Sequence, residues 1–190
     1  MMVARLKRPT NFLITGPPGI GKTTAVGRLV SRLESFRPLG FITTEIREHG
    51  VRKGFELMGH DGRRARLSHV SVAGRYRVGK YGVDIRGFEE FIRPLTTAET
   101  PSGLYIIDEI GKMECFSPLF CRWMRNLLDS PALLVATVAW TGAGLISEAK
   151  ERSDVHIFKL TQQNRDTLPA ELFDSLRRIL SSPPDSDPRL

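Results

Sequence analysis

Short apolar runs alternate with helix-like stripes along the chain. Apolar runs at residues 11–15, 104–108, 132–138 and 155–160 predict strands, and the two middle runs have the pattern of buried parallel strands. The segments that separate or follow these runs predict helices, over residues 22–35, 84–98, 116–127 and 168–179. This alternation predicts an α/β fold with a mostly parallel sheet and helices on both faces.

Two further runs interrupt that alternation. Residues 39–47 and 51–58 flank Glu48-His49-Gly50, a pattern typical of a hairpin with a glycine-containing turn, and a short strand is expected near residues 64–68. A small β-hairpin insertion is therefore added to the predicted α/β fold.

The length and composition favour one domain. The chain has 190 residues, of which 41% are apolar, so it is long enough for one full core and too short for two. We find no internal repeat and no linker. The predicted domain spans residues 1–180, and residues 181–190, rich in Ser, Pro and Asp, predict a disordered tail.

Composition excludes several classes of protein. Charged residues make up 26% of the chain and the mean hydropathy is −0.18, as in ordinary globular proteins. No apolar run approaches the roughly 20 residues that span a bilayer, and residues 1–8 lack the apolar core of a secretion signal. Cys115 and Cys121, expected on different faces of one helix, fit no metal or redox spacing. A reduced, cytoplasmic protein without a membrane span is predicted.

Charge is distributed unevenly. Residues 1–80 hold 16 Lys and Arg against 5 Asp and Glu, whereas residues 81–190 hold 12 against 16. The basic first half suggests phosphates nearby, those of nucleotides or of nucleic acid. A solvated basic surface is the alternative explanation for the arginines outside the motifs described below.

One motif indicates specific chemistry. Residues 16–23 match GxxxxGK(S/T), the Walker A motif, between a predicted strand and a predicted helix. The glycines let successive N–H groups turn inward, and the helix N-terminus adds its positive dipole end. Lys22 is expected at the β and γ phosphates, the Thr23 hydroxyl on Mg²⁺, and the Thr24 backbone on phosphate. The predicted nucleotide-binding loop consists of Gly16, Pro17, Pro18, Gly19, Ile20, Gly21, Lys22, Thr23 and Thr24.

Two adjacent acids end the apolar run at residues 104–108. Mg²⁺ bound to a nucleotide needs a second anchor opposite Thr23, and Asp108 is the candidate. Glu109 is the candidate for polarising the attacking water. A solvated loop acid and a surface ion pair are the respective alternatives.

The two motifs together resemble one family. Residues 16–24 and 108–114 are similar to the small P-loop nucleoside-triphosphatases of thermophile type, a family that includes the human cancer-related nucleoside-triphosphatase. Shorter similarities, such as Gly54-Phe55 and Asn164-Arg165, extend over roughly residues 10–180 in the same order. The resemblance implies a compact P-loop NTPase domain that hydrolyses the terminal phosphate of ATP, GTP and other nucleoside triphosphates, with Mg²⁺ and little base selectivity.

The resemblance also directs attention to three basic residues. Arg77, in the glycine-rich stretch 74–82, is a candidate for stabilising the leaving phosphate, and Lys112 is another. Arg165 is a candidate for contacting the base. A basic loop in water is the alternative for the first, and a capped helix start is the alternative for the last.

Two other functions stay open at this point. Short P-loop chains often pass the phosphate to an acceptor, so a nucleotide or nucleoside kinase is the second hypothesis, although no acceptor pocket is evident in the sequence. A nucleic-acid-binding NTPase that uses the basic first half is the third and less favoured hypothesis. Trp140, where the family more often has Ile-Pro after this strand, is expected to affect base contacts or pocket access. The sequence does not predict the oligomeric state.

Overall fold

The computed structural model describes residues 10–97 and 103–181 of the chain. The strands are β1 (Asn11–Thr15), β2 (Leu39–Glu48), β3 (Val51–Gly59), β4 (Arg64–His69), β5 (Arg77–Val78), β6 (Tyr81–Val83), β7 (Leu104–Ile110), β8 (Leu133–Val138) and β9 (Val155–Lys159). The helices are α1 (Lys22–Arg32), α2 (Ile85–Ile92), α3 (Pro118–Asp129), α4 (Leu145–Glu151) and α5 (Leu168–Ser181).

These strands form one sheet with the order β5-β6-β4-β3-β2-β7-β8-β1-β9. We call β2, β7, β8, β1 and β9, which pair in parallel, the parallel half of the sheet. We call β3, β4, β6 and β5, which extend it by antiparallel pairing, the antiparallel half. The predicted α/β fold with a mostly parallel arrangement and an inserted hairpin is confirmed, and the hairpin β2–β3 is prolonged by three more strands.

Helices cover both faces of the sheet, as expected from strands that are apolar on both sides. Phe12 and Ile14 of β1 pack with apolar residues of α1 and α5, whereas Leu13 between them packs on the opposite side with residues of α3 and α4. Phe41 of β2 belongs to this second cluster and contacts the rings of Phe88 and Phe91 on α2. The strand alternation therefore builds two apolar layers around the sheet.

Local signals fix the helix starts on the second face. The Asp84 carboxylate accepts a hydrogen bond from the backbone N–H of Gly87 at 2.9 Å, which caps α2. The Ser117 hydroxyl accepts one from the N–H of Phe120 at 3.0 Å, and Pro118 occupies the first position of α3. α2 is shorter than predicted and continues as a 3₁₀ turn over Arg93–Thr96.

The sequence analysis was wrong about one local arrangement. Cys115 lies in a 3₁₀ turn, Glu114–Phe116, that precedes α3, so it does not share a helix with Cys121. The Cys121 Sγ lies 3.5 Å from the Cys115 carbonyl oxygen, and the two residues are neighbours. The change of direction at Ser117 brings them together.

Two predictions concern the ends of the chain and the membrane. The last helix includes Ser181, and the rest of the predicted tail, residues 182–190, lies outside the described residues. Within the described ranges, no helix is both long and apolar enough to cross a membrane.

Candidate active site

The predicted phosphate loop, residues 16–24, connects the end of β1 to the first turn of α1. Gly19 and Gly21 have φ angles of 76° and 109°, which a residue with a Cβ adopts only with strain. No side chain of the described residues caps α1 at Gly21, so the first N–H groups of the helix stay available. The loop therefore offers backbone donors and the positive end of the helix dipole to a ligand.

Lys22 lies across this loop. Its Nζ atom donates a hydrogen bond to the carbonyl oxygen of Gly16 at 3.2 Å. A Cβ at Gly16 would be 2.8 Å from the carbonyl oxygen of Leu160, so only glycine lets the loop pack this closely against the end of β9. The ammonium group and the loop amides thus face the same space.

Asp108 is anchored by three hydroxyl groups at the carboxyl end of β7. Its carboxylate accepts hydrogen bonds from Thr23 at 2.7 Å and from Thr137 at 2.5 Å, and its carbonyl oxygen accepts one from Thr43 at 2.5 Å. Only 1% of the residue is exposed. Burial raises the pKa of Asp108, and the hydroxyl donors oppose that rise. The structure thus brings together the two residues predicted to hold a metal.

Glu109 follows directly but has a different environment. Its side chain is partly buried and lines the same cavity as the phosphate loop. Burial raises the pKa of Glu109, the charges of Lys22 and Lys150 lower it, and Asp108 raises it further. A partly buried carboxylate with a raised pKa is suited to accepting a proton.

Glu114 lies behind Glu109 in the turn after β7. The residue is 5% exposed, and its carboxylate receives hydrogen bonds from its own N–H and from that of Gly111. Burial, and then the charge of Glu109, raise the pKa of Glu114 to about 8. The sequence analysis assigned Glu114 no role, because its position beside Glu109 depends on the turn at residues 111–114.

A cavity of about 600 Å³ joins these groups. The phosphate loop and the two acids at the end of β7 form one side of the cavity. Strands β2 to β5 and the turn at residues 111–114 form the other side. The residues on that second side are Thr43, Thr44, Glu45, Arg52, Phe55, Leu67, Val78, Gly111, Lys112, Met113 and Glu114. The cavity has the size of a small-molecule site.

Arg77 and Lys112 meet at a neighbouring cavity of about 420 Å³. The Arg77 guanidinium donates to the carbonyl oxygens of Val72 at 3.1 Å and Lys80 at 2.7 Å, so it holds its own hairpin together. The glycine-rich stretch predicted as a loop forms β5 and β6 here. Lys112 borders both cavities, whereas Arg77 borders only the second of the two.

Arg165 lies after β9 and is not among the residues that line the main cavity. Its side chain is 53% exposed, and its Nε atom is 3.9 Å from a carboxylate oxygen of Asp166, which also pairs with Arg28 at 2.9 Å. The side-chain Oδ1 atom of Asn164 accepts a hydrogen bond from the backbone N–H of Thr161 at 2.8 Å. Asn164 therefore stabilises this turn, and the Arg165 guanidinium extends from it, largely exposed to solvent.

The sequence analysis missed three further polar residues at the site. Thr43 and Thr137 hold Asp108, as described above. Lys150 of α4 donates to the carbonyl oxygens of Ala139 at 2.5 Å and Trp140 at 2.8 Å, and lies near enough to Glu109 to alter its pKa. The sequence offered a signal for Thr137, because it is the hydroxyl-bearing residue of an otherwise apolar strand.

The donor set suits a small, hard cation. The Thr23 hydroxyl and the Asp108 carboxylate are adjacent oxygen ligands beside the phosphate loop. In residues 10–97 and 103–181, no group of three or more His, Cys, Asp or Glu side chains is arranged to hold a metal. Mg²⁺ keeps several waters and takes few protein ligands, so one hydroxyl and one carboxylate fit it when phosphate oxygens complete the shell.

A glycine loop at a helix N-terminus, opposite a buried acid at the end of a parallel strand, defines a P-loop nucleotide-binding protein. The sequence matches the profile of the NTPase family over residues 11–173. The chain belongs to that family.

Named relatives agree with this assignment. The nucleoside-triphosphatase THEP1 of Thermotoga sp. (strain RQ2) is 40% identical over 167 residues, covering 87% of this chain and 95% of the relative. The human cancer-related nucleoside-triphosphatase is 38% identical over 174 residues, covering 83% and 92%. The resemblance noted in the sequence is confirmed.

Solved structures show the same fold. The crystal structure of THEP1 from Aquifex aeolicus superposes with a TM-score of 0.76 at 32% identity, covering 88% of this chain and 99% of that one. The solution structure of the human cancer-related nucleoside triphosphatase gives 0.76 at 33% identity, covering 91% and 99%. The predicted P-loop NTPase fold is therefore confirmed.

Proposed function

We propose that this protein hydrolyses the terminal phosphate of nucleoside triphosphates and that the reaction depends on Mg²⁺. The observation that carries the proposal is the 2.7 Å hydrogen bond from the Thr23 hydroxyl to the Asp108 carboxylate, directly beside the phosphate loop. This contact supports a single site in which the start of α1 would bind phosphate and the end of β7 would bind the metal. The names of the relatives support the same activity.

Backbone groups hold the phosphates in this proposal. The backbone N–H groups of the loop, which Pro17 and Pro18 lack, replace water around the phosphate oxygens, and the dipole of α1 favours their charge. Lys22 exchanges its bond to the Gly16 carbonyl for the β and γ phosphates, since an ammonium group gains more from an anion than from a carbonyl. Thr24 contributes through its backbone N–H.

Thr23 and Asp108 hold the metal. When bound, Mg²⁺ neutralises phosphate charge and makes the terminal phosphorus a better electrophile. Thr137 and Thr43 fix Asp108 in place through its carboxylate and its carbonyl oxygen. These two hydroxyls act as positioning residues, because they contact Asp108 and not the substrate.

Glu109 orients the attacking water and accepts its proton. The carboxylate lies on the wall of the cavity next to the phosphate loop, where water approaches in line with the leaving diphosphate. Burial raises the pKa of Glu109, and the ammonium groups of Lys22 and Lys150 oppose that rise. Lys112 lines the same cavity and stabilises phosphate charge in this proposal, whereas Arg77 lines only the neighbouring cavity and already donates to two backbone carbonyl oxygens.

We infer low base selectivity from the exposure of Arg165, the residue proposed to contact the base. A guanidinium that is 53% exposed offers a flat surface for any base and no enclosed donor pattern to distinguish one from another. We therefore expect ATP, GTP, CTP and UTP to be used at similar rates.

The test is phosphate release from these four nucleotides, each with Mg²⁺ and with EDTA. Release from all four at rates within about tenfold, abolished by EDTA, is the expected result, since hydrophobic and stacking contacts alone discriminate weakly. Nucleotide binding without any phosphate release, in the presence of Mg²⁺, would contradict the proposal.

A further inference from the structure

Cys115 and Cys121 are the two cysteines of the chain, and the proposed hydrolysis uses neither of them. Their spacing argues against a redox pair only if both residues lie on one helix. The structure places Cys115 before the change of direction at Ser117 and Cys121 after it. The Cys121 Sγ atom lies 3.5 Å from the Cys115 carbonyl oxygen, and each thiol is close enough to shift the pKa of the other. The fold therefore creates a pair of neighbouring thiols.

The surroundings of this pair favour the thiolate form of Cys121. A hydrogen bond from the Cys115 thiol lowers the pKa of Cys121, and burial opposes that effect. The charge of Arg125 lowers this pKa as well, Glu148 raises it, and Arg122 lowers it. The same hydrogen bond, and then burial, raise the pKa of Cys115. Because a thiolate and not a thiol attacks an oxidant, Cys121 is the nucleophile and Cys115 is the protonated thiol beside it.

Both sulfur atoms are accessible to a small oxidant. Each cysteine is a free, half-buried thiol. Cys115 also lines the cavity of about 420 Å³ that Lys112 and Arg77 border. Hydrogen peroxide has only two heavy atoms, so a cavity of this size admits it. Accessible thiols of this kind react, whereas fully buried structural cysteines are inert.

The fold holds the two cysteines with different firmness. The Cys121 N–H donates to the Ser117 carbonyl oxygen at 3.1 Å inside α3, and the start of this helix is fixed by the Ser117 cap and by the buried Phe120 ring. Cys115 belongs to a turn of three residues, and its N–H donates to the Gly111 carbonyl oxygen at 3.0 Å. A disulfide brings its sulfur atoms to about 2.05 Å. Closing that bond therefore moves the turn toward the helix.

The turn that moves also forms part of the main cavity. Residues 111–114 line the cavity together with Glu109, and Glu114 directly precedes Cys115. A Cβ at Gly111 would be 2.7 Å from a carboxylate oxygen of Glu114, so this segment is packed without spare room. Misplacing groups near a reacting centre by about 1 Å can lower a rate 100-fold. A change at Cys115 is thus transmitted to the surroundings of Glu109.

We propose that Cys115 and Cys121 form a peroxide-sensitive dithiol, and that its oxidation to a disulfide slows phosphate release at the neighbouring site. The effect on phosphate release rests on the proposed function, whereas disulfide formation does not.

The oxidation takes place in two steps. The Cys121 thiolate attacks one oxygen of hydrogen peroxide, the O–O bond breaks, and hydroxide leaves with the electron pair, so that Cys121 becomes a sulfenic acid. The Cys115 sulfur then bonds to the Cys121 sulfur, the S–O bond breaks, and the hydroxyl group leaves as water with the Cys115 proton. The two sulfur atoms together lose two electrons, and the peroxide gains them.

Peptide masses test the disulfide. Trypsin cuts after Lys112 and Arg122, so both cysteines lie in one peptide, residues 113–122. The reduced full chain is treated with hydrogen peroxide, denatured, labelled with N-ethylmaleimide and digested without reductant. We expect this peptide to lose the mass of two hydrogen atoms and to carry no maleimide, and dithiothreitol should restore two reactive thiols.

Three other results of the same experiment would overturn the disulfide. They are two labelled cysteines at peroxide concentrations that oxidise glutathione, two copies of the peptide linked to each other, and irreversible addition of oxygen to Cys121. The first would show unreactive thiols, the second a bond between chains, and the third a thiolate that Cys115 does not reach.

Phosphate release from ATP with Mg²⁺ tests the effect on the active site. We expect kcat of the oxidised protein to lie about tenfold below that of the reduced protein and to recover with dithiothreitol. Cys121→Ser is the matched control, and peroxide should leave its rate unchanged. An unchanged kcat in the oxidised wild type would refute the effect on phosphate release. An equal loss in treated Cys121→Ser would also refute it, because another residue such as Met113 would then be the one oxidised.

Failure of the proposed function gives a different result. A reduced wild type that binds ATP with Mg²⁺ but releases no phosphate would overturn hydrolysis, and with it the effect of oxidation on hydrolysis. The mass of peptide 113–122 would still decide whether the disulfide forms.

Discussion

The parallel and antiparallel halves of the sheet contribute to one cavity in different ways. The parallel half supplies the phosphate loop, Asp108 and Glu109 from strand ends whose interiors are almost fully buried. The antiparallel half supplies single side chains from separate strands, with exposed and buried positions mixed along each one. The comparison teaches that the groups proposed for phosphate chemistry come from the ends of buried strands, whereas the rest of the cavity wall is assembled from partly exposed strands.

The largest expected effect comes from removing a cation on the parallel side. Lys22→Ala takes away the ammonium group aimed at the terminal phosphates, and we expect kcat/KM for ATP to fall about 1,000-fold, or about 4 kcal/mol. Phosphate release under saturating Mg²⁺ measures it. Lys53→Ala, on β3, is the matched control and should retain the wild-type rate. Similar losses of kcat/KM in both variants would contradict the proposed difference between the parallel and antiparallel halves of the sheet.

The next effect separates binding from chemistry. Glu109→Gln keeps the size of the side chain but cannot accept a proton, so we expect kcat to fall about 100-fold. Nucleotide affinity, measured by titration calorimetry, should stay within a few-fold of wild type. Glu56→Gln on β3 is the control, because Glu56 forms an ion pair with Arg64 on the antiparallel half. A wild-type kcat in Glu109→Gln would remove Glu109 from the mechanism.

The same contrast explains what the sequence revealed. Residues 16–24 carry their function in a contiguous pattern, and Asp108 follows an apolar run, so both were predictable. The side of the cavity formed by strands β2 to β5 takes one to three residues from each strand, and no spacing rule connects Arg52 with Val78. That side depends on the antiparallel register, which the sequence did not specify beyond one hairpin and a short strand near residues 64–68.

Two local features could not be predicted from the sequence, for physical reasons. α4 has only seven residues, LISEAKE, too few to show a clear apolar stripe, so Lys150 was not placed near Glu109. For the glycine-rich stretch 74–82 the sequence suggests a segment over the nucleotide or a basic loop in water, but in the structure residues 77–82 pair as a hairpin and Arg77 donates to two backbone carbonyl oxygens. Tertiary contacts, which a local sequence pattern does not show, determine both the position of Lys150 and the fold of residues 74–82.

A third prediction concerns the stability of the parallel edge. The Glu114 carboxyl ionises near pH 4.5 in the unfolded chain but at about 8 in the folded protein, because it is buried beside Glu109 and Asp108. Between these values the folded state binds more protons, so the free energy of unfolding should fall as pH rises. From pH 6 to pH 8 we expect ionisation of this carboxyl to lower the free energy of unfolding by about 2 kcal/mol.

Urea unfolding of wild type and Glu114→Gln at the two pH values isolates that contribution. The wild type should lose stability relative to the variant as the pH is raised, since glutamine stays neutral throughout. His60, whose pKa burial lowers, titrates in both proteins and cancels in the difference. Parallel pH dependence in the two proteins would mean that Glu114 is ionised in the folded state.

The smallest effect is expected on the antiparallel surface. Arg64 pairs with Glu56 at 2.9 Å, and its side chain is 61% exposed, so Arg64→Ala should change the free energy of unfolding by about 0.5 kcal/mol or less. Urea unfolding at low and high salt measures this, and the difference should shrink as salt screens the pair.

Because Glu56 and Asp61 already neutralise neighbouring arginines, this surface should bind a single-stranded or double-stranded oligonucleotide weakly or not at all. Oligonucleotide binding that weakens steeply with salt and is reduced in Arg64→Ala would contradict this, and would make the antiparallel half a nucleic-acid surface.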